Sequence, residues 1–174
     1  MKEPLPFDLA RLDALRRSAG LTVHTEGHLL HEGDRFAHER LEALLLSGLD
    51  LHPDSGEAIL RVGAQWCYVG CDATPFVVQA ASVGPDGLQL RLNTGLEASL
   101  APDQLQLWLE GDSRLWVEVP MTSGRRWARC NRVVWQRLSE RLALDDADAL
   151  WLQTASWSCR VQSATHAPIA AVQA

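Results

Sequence analysis

No stretch of the chain is long and apolar enough to cross a membrane as a helix, which takes roughly 18 apolar residues in a row. The longest aliphatic run in the first helical region covers only residues 43–46. The amino terminus, MKEPLPFDLARL, is interrupted by Pro4, Pro6, Asp8 and Arg11. It therefore never reaches the roughly 7 to 15 apolar residues of a signal peptide, and the cytoplasm is the expected compartment. Positive charge is also in deficit. Sixteen basic against 22 acidic side chains leave a net charge of -6, which opposes general attraction to nucleic acid or to an anionic membrane and makes any anion site a local one. The motifs G-x-S-x-G, H-E-x-x-H, G-x-x-x-x-G-K-S/T and G-x-G-x-x-G are all missing. Their absence removes the linear arguments for hydrolase, metalloprotease or NTPase chemistry, so a non-enzymatic protein without a cofactor is expected.

What is present is ordinary globular material. The 174 residues are 47% hydrophobic and 22% charged, enough apolar surface for one domain or for two small sub-domains sharing a core. Cysteines stand at 67, 71, 130 and 159. QWCYVGC reads as one strand, which at about 3.3 Å per residue separates Cys67 from Cys71 by roughly 13 Å, beyond disulfide reach. No second C-x-x-C or histidine pair completes a zinc site. Buried thiols are the expectation, with metal or redox work as the alternative.

Periodicity organises the chain into an α+β plan with four parts. Residues 1–20 carry a docking helix, in which Leu9, Leu12 and Leu15 recur at near-helical spacing before Gly20. Residues 21–82 form an amino-terminal α+β sub-domain. Its Glu26-Gly27 and Glu32-Gly33 pairs punctuate short strands as hairpin turns, a helical stripe of Leu41, Leu44, Leu45 and Leu49 follows, and AILRV and WCYVG supply further strands. Residues 83–162 form a sheet-rich sub-domain, because LQLRLN, LQLWLE and LWVEV alternate with period 2. Three antiparallel strands with one buried face are expected there. From Gly124 the spacing turns helical: Trp127, Val134, Leu138 and Leu142 share one arc, with Arg125, Arg129 and Arg132 opposite. ALWLQT and SWSCRV close the sheet, and residues 163–174 form a tail. Each half thus holds hairpin strands and one helix, as a duplicated plan would.

Three clusters bear on function. His24, His28, His31 and His38, with Glu32, Asp34 and Glu39, form the only metal-like group. If Glu26-Gly27 closes a two-residue hairpin, however, His28 pairs with Thr25 and not with His24, which splits the histidines between faces. Seven tryptophans could offer stacking surfaces, yet Trp108, Trp116, Trp151 and Trp157 fall in alternating strands and Trp127 and Trp135 flank the late helix, which reads as core. The arginine-rich helix is the strongest anomaly. It carries Arg125, Arg126, Arg129, Arg132, Arg137 and Arg141 against one acid, Glu140, in an acidic chain. Guanidinium groups bind phosphate or carboxylate in bidentate fashion, and Arg129 and Arg132 would be i, i+3 neighbours. The alternative is a solvated face or arginines neutralised by nearby acidic loops.

In order and spacing these segments resemble the bacterial family called domain of unknown function 1285, over about residues 23–161. EGHLLHEGDRFAHERLEALLLSGL is similar to that family's strand, turn and apolar helix, with His38 where its arginine stands. Asp72, Ala73, Pro75, Phe76 and Val77 resemble its D-A-P-F-V segment, with Thr74 extra. RLNTG matches a T-N-containing strand through Asn93. Ala128, Arg129 and Arg132 resemble its A-R-x-x-R segment, with Trp135 for a tyrosine or phenylalanine, and LWLQTASWSCRV resembles its closing strand pair. The family's T-P-x-E-K stretch is replaced here by Val62-Gly63-Ala64-Gln65-Trp66. The resemblance implies a duplicated α+β fold with a pleckstrin-homology-like carboxy-terminal half. It also implies a small, nucleotide-like ligand in the groove between halves, and a role in signalling.

Together these readings lead to a binding or signalling protein that takes a small anionic ligand through Arg129, Arg132, Asn93 and Arg125. The first rival is an interaction subunit that docks an acidic or strand-presenting partner; the second is a histidine-based metalloenzyme. Edge strands in a small sheet-rich chain also make a homodimer a reasonable expectation.

Overall fold

Leu88, Leu90 and Leu92 alternate with Gln89 and Arg91, and the strand they form buries all three leucines on one face. The same logic builds most of the molecule. The computed structural model describes residues 8–111 and 113–168. Its first part contains α1 (Leu9–Arg17), β1 (Leu21–Val23), β2 (Leu29–His31), β3 (Asp34–Arg35), α2 (Glu39–Leu46), β4 (Leu49–Leu51), β5 (Ala58–Val62), β6 (Gln65–Tyr68) and β7 (Gly70–Cys71). There follow β8 (Val77–Gly84), β9 (Gly87–Leu92), β10 (Glu97–Leu100), a 3-10 turn at Pro102–Gln104, β11 (Leu107–Glu110), β12 (Arg114–Met121) and β13 (Gly124–Cys130). The chain closes with α3 (Arg132–Ser139), β14 (Leu142–Leu144), β15 (Leu150–Gln153) and β16 (Ser158–Ala164).

Strands pair into three sheets: β3-β2-β1-β7, β4-β5-β6, and a nine-stranded sheet ordered β10-β9-β8-β13-β12-β11-β16-β15-β14. The fold is α+β. Most pairings are antiparallel, but β13 runs parallel to β8, β11 to β16 and β1 to β7. The nine-stranded sheet keeps two edges, β10 and β14, and so forms no closed barrel. Residues 82 and 83, where the sequence suggested a boundary, lie inside β8, which pairs with β9 through a hairpin. One core underlies both parts. It joins Val23, Leu29, Leu46 and Leu60 to Phe76, Leu115, Val117, Leu138 and Leu152, and each such side chain contributes about 1.5–3 kcal/mol when fully buried. No helix among the described residues is long and apolar enough to cross a membrane.

Several sequence expectations need correction. QWCYVGC is not one strand: it breaks at Val69, so Cys67 lies in the β4-β5-β6 sheet and Cys71 beside β1. All four cysteines are free thiols. The Glu32-Gly33 pair does close a two-residue hairpin, with both residues at positive φ and His31 opposite Asp34. Glu26-Gly27 does not. Val23 pairs with Leu29, the His24 N–H donates to the His28 carbonyl at 2.8 Å, and the loop spans residues 25–27. His24 therefore stands opposite His28, one residue off the expected register.

The docking helix α1 forms, capped by Asp8, whose side chain accepts from the Ala10 and Arg11 N–H groups. Of its leucine stripe only Leu12 is half-buried; Leu9 and Leu15 are mostly exposed. Cations hold it instead. Arg16 lies over Trp66 and Arg17 over Tyr68 at 3.8 and 3.9 Å from the ring centroids, and Arg17 bridges Asp13 and Glu57. The amino-terminal part of that segment, through Phe7, and the last residues of the tail, from 169, lie outside the described residues.

Candidate functional site

The arginine-rich segment is not one helix. Residues 124–130 form β13, which pairs antiparallel with β12 from Met121↔Gly124 to Trp116↔Arg129. Its period of 2 separates Arg125, Trp127 and Arg129 from Arg126, Ala128 and Cys130. The helix begins only after Asn131, whose side chain accepts from the Val134 N–H at 2.9 Å. Arg129 and Arg132 are thus not neighbours on a helix face. They stand on either side of a strand-to-helix junction, which bends them towards the same concavity.

That concavity is a cleft of about 420 Å³. Thr25 and Glu26, from the β1-β2 turn, form one wall together with Asp72 after β7. Ser113 and Arg114, at the start of β12, and Arg129, Cys130, Arg132 and Trp135, from β13 and α3, form the other. Three guanidinium groups therefore meet two carboxylates in a groove between the first sheet and the nine-stranded sheet. Arg129 is the buried member. Its side chain is 6% exposed, and it donates through Nη1 to Asp72 Oδ2 at 2.8 Å, while Asp72 itself is 54% exposed. Only that one side-chain hydrogen bond of Arg129 exists among the described residues, so its remaining donors have no protein acceptor there. Arg114 reaches Glu110 at 3.6 Å on the surface, and Arg132 has no ion pair among the described residues. Burial pushes the Cys130 thiol far up, which keeps it protonated at neutral pH and unsuited to nucleophilic work.

The other two predicted ligand residues lie elsewhere. Asn93 is buried and fully engaged in the scaffold: it accepts from the Val77 N–H and donates to the Pro75 carbonyl, both at 3.0 Å. It fastens residues 75–77 to the end of β9 and is not a cleft wall. Arg125 is paired with Glu118 and donates to the Gln104 carbonyl, and it lines a different cavity.

The histidines disperse into local roles. His24 Nδ1 accepts from the Glu26 N–H, and His28 Nδ1 lies 3.0 Å from an Arg35 guanidinium nitrogen. Among the described residues, no three His, Cys, Asp or Glu side chains converge as metal ligands would. Most tryptophans are tied into the frame. Trp116 is fully buried and donates to Glu110, Trp151 donates to Asp145, Trp157 to the Gly84 carbonyl, and Trp108 meets Trp127 edge to face. Trp135 alone among them lines the cleft.

No family model matches the sequence, and no curated protein matches it either. Solved structures do. A DUF1285 family protein from Silicibacter pomeroyi DSS-3 superposes with a TM-score of 0.62 over 93% of this chain and 89% of that one, at 16% identity. The chain shares its fold with DUF1285 proteins. A second, from Shewanella baltica OS155, matches with a TM-score of 0.50 over 71% of this chain and 92% of that one, at 14% identity. At such identities the likeness is one of backbone architecture.

Proposed function

We propose that the protein is a non-enzymatic binding protein of the cytoplasm whose cleft takes a small anion, phosphate- or carboxylate-bearing, through Arg129, Arg132 and Arg114. The observation that carries this reading is the state of Arg129: a nearly buried guanidinium, anchored at one nitrogen by Asp72, with its remaining donors left for an occupant. Arg132 and Arg114 add charge at the mouth, where a planar anion can be gripped by two forks at once. Trp135 supplies an apolar ring beside them, which suits an anion attached to a flat group and a signalling role. Thermal shift against a panel of nucleotides and phosphorylated metabolites tests the proposal. At a hundredfold excess over Kd, a true ligand stabilises by about 2.7 kcal/mol, or roughly 5–10 °C in Tm for a chain of this size. Arg132→Ala should abolish the shift while leaving the free protein's Tm within about 2 °C, as expected for a surface change. A panel without any shift would sink the reading.

A second reading, docking of a strand-presenting partner or a second copy, rests on the sheet edges. Among the described residues β10 and β14 each pair on one side only, and Leu144 on β14 is largely exposed. A pleckstrin-homology-like second half, as the resemblance implies, would have to be an opened version of that barrel, since its strands pair in an open order.

A further inference from the structure

A second cavity, of about 240 Å³, lies along the strap formed by residues 73–76, which follow Asp72 of the arginine cleft. Leu51, Pro75, Phe76 and Trp127 give it an apolar lining, and Arg125, Arg126 and the Glu118 carboxylate stand in its wall. The two cations differ. Arg125 is neutralised by Glu118. Arg126 has no carboxylate partner among the described residues; its terminal nitrogens donate to the Arg125 and Ser123 carbonyls, and its Nε is buried with no acceptor. A buried donor without a partner is rare in folded proteins and calls for an explanation. Here the unsatisfied donor belongs to an unneutralised cation in the wall of an apolar hollow.

We propose that this cavity is a binding site, separate from the arginine cleft, for a small amphiphilic carboxylate such as a short-chain or aromatic acid. The apolar portion would pack against Leu51 and Trp127, above a floor backed by the buried Pro75 and Phe76. The carboxylate would pair with the N–H groups of Arg126 Nη1 and Nη2 that the Arg125 and Ser123 carbonyls do not use, and would balance a charge that no carboxylate neutralises among the described residues. Volume limits the occupant to a small molecule: a dry cavity of about 150 Å³ accommodates benzene, so this one has room for a ring or short chain plus its acid group. Ala73, held at positive φ in the strap, lines the same hollow.

Calorimetric titration of hexanoate and benzoate into the full chain tests the proposal, with hexanamide and benzamide as uncharged matches. The acids should bind one to one. The amides and Arg126→Gln should each weaken binding about tenfold or more, as expected for loss of a charge-assisted bond, whereas Arg132→Ala should leave it unchanged. Nitrogen-15 spectra of the unaltered protein give an independent readout, in which the Trp127 indole and Arg126 Nε–H signals should move with added acid. Amides binding as well as acids, loss of binding in Arg132→Ala but not in Arg126→Gln, stationary signals for both groups, or no saturation at millimolar acid would each overturn the assignment.

Discussion

Two stretches of the chain repeat one design and use it differently. In each, an eight-residue helix hands over to a three-residue strand that opens a three-strand meander: α2 with β4-β5-β6, and α3 with β14-β15-β16. Even the hand-over bonds correspond. Gly48 N–H donates to Leu45 and its carbonyl accepts from Arg61; Arg141 N–H donates to Leu138 and its carbonyl accepts from Gln153. The helices differ in which face they bury. α3 covers Val134 and Leu138 and is capped by the Asn131 side chain. α2 has no side-chain cap at His38; it buries Leu46 together with Glu42, whose carboxylate accepts from the Leu29 N–H at 2.9 Å, and it leaves Leu44 60% exposed. Both units pack apolar side chains on the core and both add a polar tie to a neighbouring sheet, Glu42 to the Leu29 N–H and Arg137 Nη1 to the Ala81 carbonyl at 3.0 Å, but only α2 buries the charged residue that makes it.

Truncations should separate the units most widely. Leu138→Ala removes a fully buried side chain and should cost about 2–5 kcal/mol in urea denaturation, while Leu44→Ala on the exposed face of α2 should stay within about 0.5 kcal/mol. Equal costs would mean that α2 packs as its leucine stripe suggests. The junctions come next. A Cβ at Gly48 would overlap the Arg61 carbonyl oxygen, so Gly48→Ala should cost about 1–3 kcal/mol by overpacking, whereas Arg141→Ala at the corresponding place should be near neutral. The smallest contrast lies at the helix starts: Asn131→Ala should lose about 1 kcal/mol, and His38→Asp should gain about 0.5–1 kcal/mol, because of these two helices α3 alone already has a side-chain cap.

Local signals made part of this visible in the sequence. Period-2 runs marked β9, β11 and β12, and Glu32-Gly33 marked a hairpin, because a half-buried strand and a two-residue turn each constrain neighbouring residues. The arginine segment misled because Trp127, Val134, Leu138 and Leu142 satisfy a helical wheel even across a strand-to-helix junction; the overlooked clue was Asn131, a good cap in mid-segment. Nothing local marked Glu42 for burial, since its partner is a backbone N–H on β2. The cleft was half legible. Arg129 and Arg132 stood out as excess charge in an acidic chain, but Glu26 and Asp72 come from distant turns and Arg114 from the start of β12, and their meeting is set by sheet pairing.

The arginine cleft is the claim on which the functional account depends, and pyrophosphate is its simplest probe. Titrated calorimetrically into the protein and into an Arg114→Ala, Arg132→Ala double variant, it should bind one to one to the first with an affinity that falls as salt rises, and not detectably to the second. Equal heats from both proteins, or none from either, would contradict the account.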